Sequence, residues 1–127
     1  MSDLNPHGVK VNIGGEEHEL LFTVNVIDEI QSTVGKPLFD AMGDVSRAVY
    51  DINDLEALKS FKAVLAILVN EGGGNTDAKT IGKKILWTEI SALARAMVEA
   101  FGISLPEPDE DEDDEEGSDS PKAETEP

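Results

Sequence analysis

Few side chains in this chain of 127 residues have the types and spacing that chemistry needs. The two histidines are His7, near the N-terminus, and His18, flanked by Glu17 and Glu19. In an alternating stretch, neighbouring side chains point to opposite faces, so His18 does not converge with Glu19 on one ligand site and reads as a surface histidine. Gly72-Gly73-Gly74 lacks the Gly-Lys-Ser/Thr that completes a phosphate loop, and Gly82-Lys83-Lys84 lacks the upstream glycine and the hydroxyl. The run Asp109, Glu110, Asp111, Glu112, Asp113, Asp114, Glu115 and Glu116 is rich in oxygen ligands, but Asp114 stands where a calcium loop needs its glycine. It predicts loose counter-ion condensation. With no cysteine, thiol nucleophiles, thiolate zinc sites and disulfides are excluded. Nothing here predicts an enzyme, a metal site or a cofactor.

Charge is unevenly placed. The formal net charge is -17, and the segment from Ile103 onward holds twelve acids against Lys122 alone, a net of -11. Residues 1–102 hold fifteen acids and nine bases, a net of only -6. Phosphate-backbone binding needs clustered Lys and Arg, so nucleic acid is not an expected partner. The basic group Lys79, Lys83 and Lys84 reads as a solvated helix face. Tyr50 and Trp87 are single aromatics, without the spaced set that stacks bases. No apolar run is long enough for a membrane span and the N-terminus lacks the parts of a signal peptide, so the cytosol is the expected compartment.

The elements follow from periodicity. Val9, Val11 and Ile13 alternate with polar residues, Gly14-Gly15 interrupts, and His18, Leu20 and Phe22 resume the alternation, which predicts a β-hairpin over residues 9–23. Two strands are marginal in water, so helices must cover them. Asn25 is the expected cap of a first helix with Val26, Ile27, Ile30 and Val34, ended by Gly35. Pro37 opens a short second helix carrying Leu38, Phe39 and Met42, expected to stop at Gly43. In residues 44–53 neither period dominates, leaving a strand or an irregular connection open. Asn53 or Asp54 caps a long helix with Leu55, Leu58, Phe61, Leu65 and Leu68, apolar on every side from Ala63 onward and therefore central. The glycine loop after it reads as mobile and tolerant of deletion. Thr76 or Asp77 starts a short helix, and Thr88 caps a last one, through Ile90, Leu93, Met97 and Phe101, that Gly102 closes. Trp87 is expected to anchor this last helix in the core. The fold class is α+β, mostly α: an N-terminal hairpin covered by about four or five helices. A flexible N-terminus at 1–8 and a disordered acidic tail at 106–127 flank the compact domain at 9–105.

The succession Leu20-Leu21-Phe22-Thr23-Val24-Asn25, Ile27-Asp28-Glu29-Ile30 and Gly35-Lys36-Pro37-Leu38 is similar to the N-terminal region of the tail assembly chaperones of long-tailed bacteriophages and of phage-derived tail-like particles. Residues 55–69 look like their central helix. Thr80-Ile81-Gly82, Glu89-Ile90 and Ala96-Met97-Val98-Glu99-Ala100-Phe101-Gly102 look like their closing helices, so the resemblance spans about residues 9–105. It departs from the family in the glycine-rich loop and the acidic tail. The resemblance implies a non-enzymatic protein of the host cytoplasm that binds and solubilises the tape-measure protein, helps recruit tail-tube subunits, and is absent from the mature particle. It also implies, in many phages, a longer frameshifted form of the same protein. Phe39, Trp87, Met97 and Phe101 are the candidate side chains for client contact.

A holding function needs apolar surface, and a small domain that exposes it risks self-association. The tail's charge would offset this by repulsion over a Debye length of ~8 Å at physiological salt. Two other readings stay open: a small acidic adaptor, and a DNA-mimic inhibitor, which would need carboxylates spaced along folded helices rather than gathered in a tail.

Overall fold

Gly14 and Gly15 adopt φ of 60° and 84°, the pair of positive values that a two-residue hairpin turn demands. Through them β1 (Val9–Ile13) folds back on β2 (Glu16–Leu20), antiparallel, with Val9 opposite Leu20 and Ile13 opposite Glu16. In the computed structural model, which describes residues 8–104, this two-stranded sheet is followed by five α-helices: α1 (Val24–Val34), α2 (Leu38–Tyr50), α3 (Leu55–Glu71), α4 (Ala78–Gly82) and α5 (Ile90–Ser104). The fold is α+β and mostly helical, as its periodicity predicts. His7, most of the N-terminus expected to be flexible, and the acidic run from Asp109 to Glu116 with the rest of the tail expected to be disordered lie outside the described residues.

The ladder ends earlier than the alternation suggests. Leu21 donates its N–H not to β1 but to the Leu68 carbonyl of α3, at 3.3 Å, so the chain leaves the hairpin by fastening onto the central helix. Two residues later Thr23, rather than the expected Asn25, caps α1: its hydroxyl accepts from the Val26 N–H and donates to the Glu71 carboxylate at 2.6 Å. Asn25 is already helical and exposed. The far end of α1 is as expected, with Gly35 at φ 79° and its N–H on the Gln31 carbonyl.

The second helix does not stop at Gly43. It runs thirteen residues to Tyr50 and absorbs most of the segment in which neither period dominates. Gly43 faces open space, with no atom within 4 Å of where a Cβ would stand, so it neither ends the helix nor serves close packing. Gly43→Ala should therefore stabilise the protein by about 0.5–1 kcal/mol, read as a higher urea midpoint at unchanged slope.

α3 is the centre. Asp54 caps it by accepting from the Ala57 N–H at 3.1 Å, and Phe61, Val64, Leu65 and Leu68 are fully or almost fully buried. Each such side chain contributes about 1.5–3 kcal/mol on leaving water. α1, α2 and α4 pack on α3, the β2 strand lies against its C-terminal half, and α5 covers the hairpin and α2. The glycine loop beyond α3 is not the dispensable connection that three glycines suggest. Asn70 grips Thr76 twice, at 2.7 and 2.8 Å, and the Gly72 Cα passes so close to β2 that an added Cβ would sit 2.0 Å from the Glu19 carbonyl oxygen.

Asp77 caps α4 through the Thr80 N–H at 2.7 Å. The last helix is preceded by a 3-10 turn over Trp87–Glu89, closed by the Leu86 N–H on the Glu89 carboxylate at 2.9 Å, so Thr88 is not its cap. α5 also continues through Gly102 to Ser104 instead of ending there.

Candidate protein-binding surfaces

The one fully enclosed carboxylate among the described residues is Asp44, 2% exposed on the inner face of α2 beside Ala41, Val45 and Ala48. A charge in that place needs donors. Its Oδ2 accepts from Lys36 Nζ at 2.7 Å and from Ser60 Oγ at 2.6 Å, and its Oδ1 from Arg47 Nη2 at 2.7 Å. Lys36 also pairs with Glu56, and Arg47 Nε with the helix-capping Asp54 at 3.1 Å. Burial pushes the Asp44 carboxyl up, but the hydrogen bonds from Lys36, Ser60 and Arg47 outweigh it and hold the group below the usual carboxylate range. The bond to Asp44, then that to Glu56, raises Lys36 above its ordinary value. Ser60 and Asp44 resemble a nucleophile with its base, yet this carboxylate is already shared by two cations and has little basicity to spend. The cluster is a brace joining the α1–α2 turn, α2 and α3.

Binding capacity lies in exposed apolar side chains. Trp87, expected in the core, is 72% exposed. It stands on the rim of an apolar hollow of about 210 Å³ that also presents Ile52, Leu58, Phe61, Ile85 and Ile90, between the start of α3 and the start of α5. Tyr50 and Leu55, near Ile52 in the chain, and Leu86, next to Trp87, are exposed as well. The 3-10 turn is what lifts Trp87 outward: it displaces the start of α5 to Ile90, which enters the core in its place.

A second apolar site is centred on Phe39, in the first turn of α2 and 70% exposed. Its ring meets that of Phe101 edge-on, with centroids 5.7 Å apart, and Phe101 in turn meets the buried Phe22 at 5.2 Å. Phe101 is half-buried and Met97 is fully buried. Of the four candidate contact residues, then, Phe39 and Trp87 are open to a partner, Phe101 supports Phe39 from behind, and Met97 is a core residue that no partner can reach in this fold. Helical spacing places Met97 and Phe101 on one face correctly, but that face turns inward.

The basic group divides. Lys84 lies 3.5 Å from Glu16, whereas Lys79 and Lys83 border a groove of about 740 Å³ between the end of α1, α3 and α4. Lys36, Lys59 and Lys62 complete its basic lining. Lys79 and Lys83 are exposed, as expected of a solvated face, and they also border this concave, lysine-lined site. His18 is partly covered, its side chain 20% exposed and 3.5 Å from Glu16, so it is less of a surface residue than its flanking glutamates suggest. Among the described residues no group of three His, Cys, Asp or Glu side chains could hold a metal ion, and no helix is long and apolar enough to cross a membrane. Comparison of the chain with protein-family models, with curated proteins and with solved structures finds no match.

Proposed function

We propose that this is a non-enzymatic binding protein, a phage tail assembly chaperone acting in the host cytoplasm, whose client is the tape-measure protein. The observation that carries this reading is the exposed Trp87 on the rim of an apolar hollow. An amphipathic helix laid across such a hollow buries its apolar face there, with an aromatic anchor supplying most of the energy. A tape-measure protein is long and largely helical, and offers such faces repeatedly. The similarity of residues 20–38 to the family's N-terminal region supports the same reading, with recruitment of tail-tube subunits and a longer frameshifted form as further parts of it.

Co-expression and pull-down with a tape-measure protein from the same genome tests the proposal. Capture is expected, and a failure to bind would sink it. Trp87→Ser should weaken capture at least about tenfold, as loss of an interface anchor does. Because Trp87 is largely exposed, thermal stability should change by less than about 1 kcal/mol. Equal binding by the variant would move the client site away from this hollow.

A further inference from the structure

The cationic groove has an occupant within the chain. Residues 1–102 contain nine bases, and five of them, Lys36, Lys59, Lys62, Lys79 and Lys83, line this one groove. Lys36 is engaged by Asp44 and Glu56, but the other four make no salt bridge among the described residues. Elsewhere the bases are fewer and apart: Arg47 holds Asp44 and Asp54, Lys84 lies near Glu16, and Lys10 and Arg95, without a salt bridge among the described residues, border a hollow that Glu89 and Glu99 also line. On a body of net charge -6, this groove is where a polyanion meets attraction instead of repulsion.

We infer that the acidic run from Asp109 to Glu116 folds back into the lysine groove of its own chain. The eight carboxylates complement the four unmatched ammonium groups, and the groove floor offers Val34, Ala63 and Ala78 to the methylenes of the glutamates. The path is short. Phe101, in the last turns of α5, touches Phe39, and Lys36 at the groove edge is three residues before Phe39, no more than about 11 Å along the chain. Residues 105–116 can span up to about 40 Å, against a body of roughly 30 Å across.

Single exposed ion pairs are worth little, on the order of 0–1 kcal/mol each. Tethering changes the outcome, because a ligand on a short linker is present at an effective concentration in the millimolar range, on the order of what weak multivalent pairing needs. The bound run neutralises the groove and keeps other anions out of it. Its attraction is local and does not depend on a client.

The absence of cysteine makes the full-length chain suited to a direct test, since Ser118→Cys carries a nitroxide at a unique position two residues past the run. Paramagnetic broadening should be centred on the amide signals of residues 59–63 and 78–83. The signals should return in about 1 M salt, where the Debye length falls from ~8 Å to ~3 Å. They should also return in two further full-length variants: Lys59→Gln, Lys62→Gln, Lys79→Gln and Lys83→Gln combined, or the eight run acids changed to Asn and Gln. No broadening, or broadening centred on another surface, overturns the inference. Equal broadening when the nitroxide is on a second, isotopically silent copy overturns the intramolecular pairing and makes the groove a contact between copies.

Discussion

Asp44→Asn is expected to lower the unfolding free energy by about 2–4 kcal/mol, because it removes the charge from a buried acceptor that three donors share. In a domain of this size that is a fall in Tm on the order of 10–20 °C. The loss stays below the most severe buried-charge deletions, since Lys36 keeps Glu56 and Arg47 keeps Asp54. Ser60, 5% exposed, has no such alternative. The pH dependence has a definite sign. The folded Asp44 carboxyl titrates below its unfolded value of ~3.9, so its stabilisation is complete above about pH 4 and is lost as the pH falls through the folded value. Lys36 behaves oppositely: raised above its unfolded value of ~10.4, it stabilises fully below that pH and stops doing so as the pH climbs through the folded value. Urea unfolding of both proteins should show a constant gap from about pH 4 to neutrality and beyond, narrowing in acid. A gap that widens on acidification, or one under about 0.5 kcal/mol at neutral pH, would contradict the brace.

Gly72→Ala is expected to pry the hairpin from the central helix. The added Cβ would meet the Glu19 carbonyl oxygen at 2.0 Å and its carbon at 2.8 Å, and both belong to the backbone of β2, which cannot rotate aside as a side chain does. Gly72 has φ −84° and ψ 10°, open to any residue, so the cost comes only from close approach. Overpacking of this kind costs about 1–3 kcal/mol, with the upper end expected here. The damage should be directional: amide exchange should accelerate in β1 and β2, and the resonances of Glu19, Leu20 and Leu21 should move, while α2 and α4 hold. A variant as stable as the parent would mean that β2 can retreat at no cost.

Where the chain's own neighbours decide structure, the sequence is readable. The glycine pair in the hairpin turn, Gly35 at the end of α1, Asp54 as cap and the all-round apolar α3 are all visible as local patterns. The full length of α2 is not, for a reason located at two residues. Gly43 imitates a terminator, and Asp44 puts a charge on what is in fact the buried face, breaking the apolar period. Its licence to be there comes from Arg47, Lys36 and, sixteen residues away, Ser60, and the last is a partner that no local window contains. Trp87 misleads because an aromatic beside an apolar helix reads as core, and the 3-10 turn that swings it outward rests on a reciprocal pair of bonds between Leu86 and Glu89, the Leu86 N–H on the Glu89 carboxylate and the Glu89 N–H on the Leu86 carbonyl. The lysine groove is hidden by sequence distance: Lys36 lies between α1 and α2, Lys59 and Lys62 in α3, and Lys79 and Lys83 in and just after α4, and no local pattern shows that the three places face one another.

The hairpin's cover arrives late. β1 is made some eighty residues before the part of α5 that lies over it, and at about 5–20 residues per second a ribosome needs roughly 4–16 s to supply that cover. Until then the two-stranded sheet has only the contact of β2 with α3 to support it, so β1 is among the last parts of the nascent chain to gain lasting order. Glu16, Glu17 and Glu19 place negative charge along β2 throughout the wait, when an unguarded edge would invite pairing with another nascent chain.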